Sequence, residues 1–116
     1  MTTSILNSIK EMLGVPSDLT AFDNEIMVHI NSALGTLTQI GLGSSSGFMI
    51  TGPSETWSQF LGTTPKFAAV KTFVFISVKL IFDTPTNAYV VTSFKETLQE
   101  MTYRLNVEAE GELPDV

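Results

Sequence analysis

The chain has 116 residues, which suits one domain with its own core, because a chain of this length buries roughly two-thirds of its unfolded surface. Its 12 acidic and 6 basic residues give a net charge of −6, which argues against a surface that grips nucleic acid. Cysteine is absent, and this excludes a disulfide framework, thiolate metal sites and cysteine nucleophiles.

Two amphipathic helices are predicted in the first third of the chain. Apolar residues recur at helical spacing from Ser4 to Leu13, and Gly14 then stops the first helix. The second helix opens near residue 20, with Thr20 or Asp23 as its cap, and ends at Ile40.

A flexible loop is predicted over residues 41–52, because its first half is rich in glycine and serine. Its second half has room for a short strand at the apolar residues Phe48, Met49 and Ile50. Because a linker precedes them, we interpret these three residues as a protein-contact site, since aromatic residues and methionine are enriched where proteins bind proteins.

A short helical turn is predicted within residues 54–61, where Trp57 and Phe60 lie one turn apart. We expect both side chains to pack in the core. The next segment, 65–82, is predicted to be a central buried helix, because it is apolar around most of its circumference. The β-branched and aromatic residues of 70–82 also allow a strand, but the length of the segment favours a helix.

The last helix is predicted to start with Thr84 as its cap and Pro85 at its first position, and to lie antiparallel beside the central helix. It should end at Val107. The sequence therefore indicates an all-α bundle of four to five helices over residues 1–107, followed by an acidic, disordered tail over 108–116.

The usual catalytic and metal-binding patterns are missing. The one histidine, His29, has no second ligand or base at a suitable spacing, and we interpret it as an edge residue of the second helix. Glu96 and Glu100 share a helix face with basic residues and are typical of a solvated surface. We therefore expect no catalytic residue, cofactor or metal. The N-terminus lacks a signal-peptide pattern, and 67–82 is too short to span a bilayer, so we expect no membrane association.

The order of these segments resembles the head–tail connector (adaptor) proteins of long-tailed bacteriophages and of prophages in Gram-positive bacteria. The resemblance extends from about Ile5 to Glu110. Its most specific pieces are Phe22–Asn31, Trp57–Gly62, Leu80–Pro85 and Tyr103–Val107.

This resemblance implies a structural virion protein without enzymatic activity. Such proteins form a homo-oligomeric ring under the portal protein, typically of twelve copies, and offer a docking surface to the stopper or tail completion protein. The ring extends a channel through which DNA passes without specific binding. It lies at the head–tail interface of the virion and is assembled in the host cytoplasm.

The C-terminal segment of the family reaches toward the portal. In this chain the corresponding acidic residues are Glu108, Glu110, Glu112 and Asp115. Two other functions stay open from the residues alone. One is a small helical protein-binding regulator that acts through the 48–50 loop. The other, which the sequence supports least, is a small enzyme that uses Glu96, Glu100 or His29.

Overall fold

A computed structural model describes residues 4–42, 48–62, 67–82 and 84–111, and the side chains among them as far as residue 105. In chain order the helices of these ranges are α1 (Ile5–Leu13), α2 (Asp23–Gln39), α3 (Trp57–Leu61), α4 (Phe67–Phe82) and α5 (Ala88–Gly111). The predicted all-α bundle is confirmed. Within the described ranges no strand is present, including the described part of the 41–52 loop, and the one isolated β-bridge joins Ser4 to Thr56.

Helix α4 is the centre of the bundle, because α1, α2 and α5 all pack against it. Val70, Val74 and Val78 recur every four residues along α4 and have no exposed surface. The apolar side chains of this helix therefore bury a continuous stripe against three neighbours. The alternative interpretation of 70–82 as a strand is wrong, since the whole segment is helical.

Helix α1 ends at Leu13 as predicted, starts one residue later than predicted, at Ile5, and has a defined cap at each end. The Ser4 hydroxyl accepts a hydrogen bond from the Asn7 backbone N–H at 3.2 Å. At the other end, Gly14 adopts a φ of 80°, the left-handed conformation in which glycine is favoured. Its N–H then closes the last turn of α1 on the carbonyl oxygens of Lys10 and Glu11.

The predicted side-chain cap of α2 is wrong. The helix begins at Asp23 with Phe22 in the cap position, and no side chain caps it. Thr20 contributes its carbonyl oxygen, which accepts from the Asp23 N–H at 3.2 Å. The Asp23 carboxylate is instead 2.8 Å from the Lys10 ammonium, and this ion pair explains why it does not cap its own helix.

The predicted start of α5 at Thr84 and Pro85 is also wrong. The Thr84 hydroxyl donates to the Leu80 carbonyl oxygen at 2.6 Å, so Thr84 closes the end of α4. Helix α5 starts at Ala88, and Asn87 caps it by accepting from the Tyr89 N–H at 2.8 Å.

Helix α5 runs antiparallel to α4, as predicted. Ala69 near the start of α4 lies beside Met101 and Leu105, while Leu80 near its end lies beside Leu98. The backbone of α5 stays helical to Gly111, four residues beyond the predicted end at Val107. Residues 112–116 of the predicted tail lie outside the described part of the chain.

Candidate contact surface

The described end of the 41–52 loop is fastened to α2 by one side chain. The Asn31 amide nitrogen donates to the Ile50 carbonyl oxygen at 3.0 Å, and the Asn31 amide oxygen accepts from the Ile50 N–H at 2.8 Å. Asn31 thus satisfies both backbone polar groups of Ile50, as a neighbouring strand would. The Ile50 side chain is only 2% exposed, so this position of the loop is an anchor.

The three apolar residues of the loop differ in exposure. Phe48 is half-buried, and its ring centroid lies 5.4 Å from that of Phe60. Ile50 is in the core, whereas Met49 is 67% exposed. Of the three residues that the sequence predicts as a contact site, Met49 is therefore the side chain that offers most of its surface to a partner. Phe48 and Ile50 hold it in position.

The turn after Ile50 is closed by Glu55. One carboxylate oxygen of Glu55 accepts from the Thr51 N–H at 3.0 Å and from the Thr51 hydroxyl at 2.9 Å. Burial by itself would raise the pKa of Glu55. The hydrogen bonds donated by Thr51, with those from the backbone of Gly52 and of Glu55 itself, outweigh it and hold this pKa below its usual value.

Helix α3 joins the loop to the core. A capping box starts it, in which Thr56 and Gln59 each accept a hydrogen bond from the other's backbone N–H. Trp57 has no exposed surface and packs edge-on against Phe67, with 5.8 Å between ring centroids. Phe60 is 3% exposed. The prediction that Trp57 and Phe60 are core residues is confirmed.

Of the predicted acidic contact residues, the structure describes only the backbones of Glu108 and Glu110. The backbones of Glu108 and Glu110 belong to the last turns of α5. Glu112 and Asp115 lie outside the described residues.

A second polar anchor fixes the α1–α2 connection, and it was not predicted from the sequence. Lys10 is 1% exposed, and its ammonium donates to the carbonyl oxygens of Ser17 at 3.2 Å and Leu19 at 2.7 Å. It also pairs with Asp23 at 2.8 Å. One signal was present in the sequence: Lys10 follows Leu6 by four residues and precedes Leu13 by three, so it occupies the apolar stripe of α1.

A groove of about 390 Å³ runs over α4 between α2 and α5. His29 and Lys95 lie on its two walls, and Phe73, Ser77 and Leu80 form its floor. No carboxylate lines it, so it lacks the donor–acceptor set of an acid–base site. Glu100 is instead exposed and pairs with Arg104, which fits the predicted solvated face. In the described part of the chain, no group of three or more His, Asp or Glu side chains could hold a metal ion.

The comparison with protein families identifies the chain. The family described as "Phage connector protein" matches residues 5–112, nearly the whole sequence. This chain belongs to the phage connector protein family. The resemblance to head–tail connectors is thereby confirmed. No curated protein matches the sequence, and no solved structure matches the fold.

Membership of the phage connector protein family indicates the class of function of this protein. The phage connector proteins are a structural family and not an enzyme family, and membership implies interaction with portal and tail proteins in the phage. This connector protein is accordingly a virion component by family. None of its described helices is long and apolar enough to cross a membrane.

Proposed function

We propose that this protein is the head–tail adaptor that assembles as a closed ring beneath the portal and extends the DNA channel toward the stopper and tail. The observation that carries the proposal is the family match over residues 5–112. The fold adds support, because a ring needs two different faces on each subunit, and a small helical bundle offers several.

The first proposed contact is the acidic C-terminal segment with the portal. Glu108, Glu110, Glu112 and Asp115 come after Arg104 without any intervening basic residue. Such a segment suits a basic or hydrogen-bonding portal surface, and the attachment should weaken as salt rises. The segment after 107 has no hydrophobic pattern, so we expect the fold not to depend on it.

Truncation tests this contact. Portal particles are sedimented with the full-length protein, and with a variant that lacks residues 108–116, at low and high salt. We expect the truncated protein to keep its thermal unfolding profile and lose most of its low-salt binding. A matched variant with Glu108→Gln, Glu110→Gln, Glu112→Gln and Asp115→Asn separates charge from length. Equal binding of all three proteins at both salt levels would show that the tail is a passive terminus.

The second proposed contact is the 48–50 loop, with Met49 as the side chain that reaches the partner. Asn31 holds the loop in one conformation, so little conformational entropy is lost when it docks. Met49→Asp in the same sedimentation assay measures this contribution, with Val28→Asp as a control because Val28 is similarly exposed at 64% on α2. Comparing Met49→Asp with the tail variants shows which segment carries the main contact.

Assembly is tested separately by sizing and negative-stain microscopy of the purified protein over a range of concentrations. Closed rings, alone or on portal particles, are the expected result. A protein that stays monomeric or dimeric in both settings, and does not co-sediment with the portal, would instead favour a small regulator that binds through the 48–50 loop.

A further inference from the structure

The groove that runs over α4 between α2 and α5, which we name the α2–α5 groove, has the dimensions of a helix-docking site. On its α2 wall, His29, Ser32, Ala33 and Thr36 follow one another at the spacing of one helix face, and three of these four side chains are small. The α4 residues that line it fall within Phe73–Ile81, about 12 Å along the helix. This length equals about two turns of a further helix, and the small wall residues let such a helix come close.

The α2–α5 groove combines an apolar surface with one cationic side chain. Leu80 and Leu98 are among its apolar residues, and Lys95 of α5 lies on the wall opposite α2. No aspartate or glutamate is among the lining residues, and Lys95 makes no ion pair with another residue that the structure describes. The groove therefore fits a helix that carries an aromatic or aliphatic side chain and a carboxylate about two turns apart.

Helix α5 itself has an outer surface of that kind, which we name the α5 ridge. It consists of Tyr89, Thr92, Ser93 and Glu96, which are all exposed and occupy positions i, i+3, i+4 and i+7 of one helix face. Tyr89 is 84% exposed, and Glu96 makes no ion pair with another described residue. Seven residues of helix separate the two, about 10.5 Å, so both fit along the α2–α5 groove.

Two features suit the α5 ridge to close docking. Asn87 accepts a hydrogen bond from the Tyr89 N–H at 2.8 Å, so the first turn of α5 has a fixed backbone. Between Tyr89 and Glu96 this face carries only a threonine and a serine, whose small side chains let the helix approach the floor of the groove. The next turn of the face is less suitable, because Glu100 is already paired with Arg104.

We infer that the α5 ridge of one copy docks in the α2–α5 groove of the next copy. This inference rests on the proposed ring, and it names the two surfaces that meet between neighbouring subunits. Lys95 and Leu98, which line the groove, lie roughly 140° around α5 from the ridge, at about 100° per residue. One copy therefore uses its ridge and its groove toward two different neighbours, and this heterologous contact repeats until the ring closes. In it, Tyr89 covers apolar residues of the groove and Glu96 approaches Lys95.

Cross-linking tests this pairing, because the chain has no cysteine of its own. Thr92→Cys on the ridge and Thr36→Cys on the α2 wall, both at exposed positions, are made as separate proteins with tags of different size. They are mixed in equal amounts and oxidised under ring-forming conditions. We expect disulfide-linked heterodimers, and little homodimer from either protein alone. Asn24→Cys, an exposed position of α2 that does not line the groove, replaces Thr36→Cys in the control mixture and should give no heterodimer.

Charge exchange gives an independent readout. Glu96→Lys and Lys95→Glu should each weaken self-association roughly three- to tenfold, because each change replaces an attractive surface pair by two like charges. The double variant has the composition of the wild type and should recover most of the affinity, because the two charges have exchanged places. Both positions are exposed, so the isolated subunits of all three variants should unfold at the wild-type temperature.

The aromatic anchor is tested with two matched variants of α5. Tyr89→Ala should weaken self-association at least roughly tenfold, whereas Tyr103→Ala, at a tyrosine that is 71% exposed, should change it less than about twofold. Rings that form without Thr92–Thr36 cross-links, a double charge variant no better than the single ones, or equal effects of the two alanine variants would overturn this inference and leave the proposed ring intact. If the wild-type protein forms no rings, alone or on portal particles, both the proposed function and this contact are wrong.

Discussion

At the scale of single residues, two polar side chains each fix one described segment that has no regular structure. The Asn31 side chain hydrogen-bonds to both backbone polar groups of Ile50, as a neighbouring strand would. At the α1–α2 connection, the Lys10 ammonium donates to two carbonyl oxygens and pairs with the Asp23 carboxylate. Backbone groups that lose water must find partners, and in both places a side chain from a helix supplies them.

Lys10→Met keeps the length and apolar stem of the side chain and removes its charge. We expect the free energy of unfolding to fall by about 1–3 kcal/mol, because two carbonyl oxygens and the Asp23 carboxylate lose their partner. The loss is limited because the Asp23 side chain is 21% exposed and regains some water. Urea unfolding measures it. Lys95→Met, at an exposed lysine, should change stability by less than about 0.5 kcal/mol, and equal effects would remove Lys10 from this role.

Glu55 makes stability depend on pH in the acid range. Its pKa is lower in the folded than in the unfolded protein, so its carboxylate stabilises the fold above the unfolded pKa of about 4.3. This contribution is lost as pH falls through the lower, folded pKa. Glu55→Gln should therefore be less stable than wild type at pH 7 and equally stable near pH 2. The two urea-unfolding curves measured across this range should converge on acidification, and a constant gap would exclude this linkage.

At the scale of elements, α4 dominates the fold because it contacts three other helices. Val74 has no exposed surface, so Val74→Asp places a carboxylate where no water or partner reaches it. The cost is several kcal/mol, on the order of the whole stability of a small domain, and we expect the variant to be unfolded at 25 °C. Circular dichroism and thermal melting measure this outcome.

Ala68→Asp is the matched control for Val74→Asp. It introduces the same carboxylate on the same helix, but at an exposed position near the N-terminus, where the helix dipole favours a negative charge. It should melt within a few degrees of wild type. A Val74→Asp protein that melts cooperatively at the same temperature as this control would contradict the central position of α4.

The elements were predictable from sequence because each has an apolar period and a stop signal close to it in the chain. The helix starts were harder, because a cap depends on where a side chain points. Asp23 turns toward Lys10 and Thr84 turns back toward Leu80, so neither caps the helix that comes after it. The Asp23 contact is with a residue 13 positions earlier, which local spacing does not encode. Thr84 makes a local alternative bond to the carbonyl oxygen four residues earlier, and the capping pattern does not distinguish the two.

The candidate contact site was predictable only in part, for the same reason. The apolar composition of Phe48, Met49 and Ile50 identifies them as a candidate contact site, but it does not reveal which side chain is buried and which is exposed. The burial of Ile50 depends on its hydrogen bonds with Asn31, which lies 19 residues earlier in the chain.

At the scale of the whole molecule, the net charge of −6 is unevenly distributed. The α4 segment carries only positive charges, whereas the last twelve residues carry four acids and no base. In the proposed ring, the acidic C-terminal segment would meet the portal, and the excess of acidic over basic residues in the chain favours a neutral or acidic channel surface. Such a surface suits DNA that must slide without being held.

This distribution of charge predicts that the assembled protein does not retain double-stranded DNA. We expect a dissociation constant weaker than about 10⁻⁴ M at physiological salt, the weak end of non-specific DNA binding, because few phosphates can be neutralised. Fluorescence anisotropy of a labelled duplex measures it under ring-forming conditions. A variant with Glu25→Lys, at an exposed position, is the matched control. It should bind DNA more tightly and in a salt-dependent way. Tight, salt-sensitive binding by the wild-type protein would mean that a basic surface faces the channel, and the proposed distribution of charge in the ring would have to be reversed.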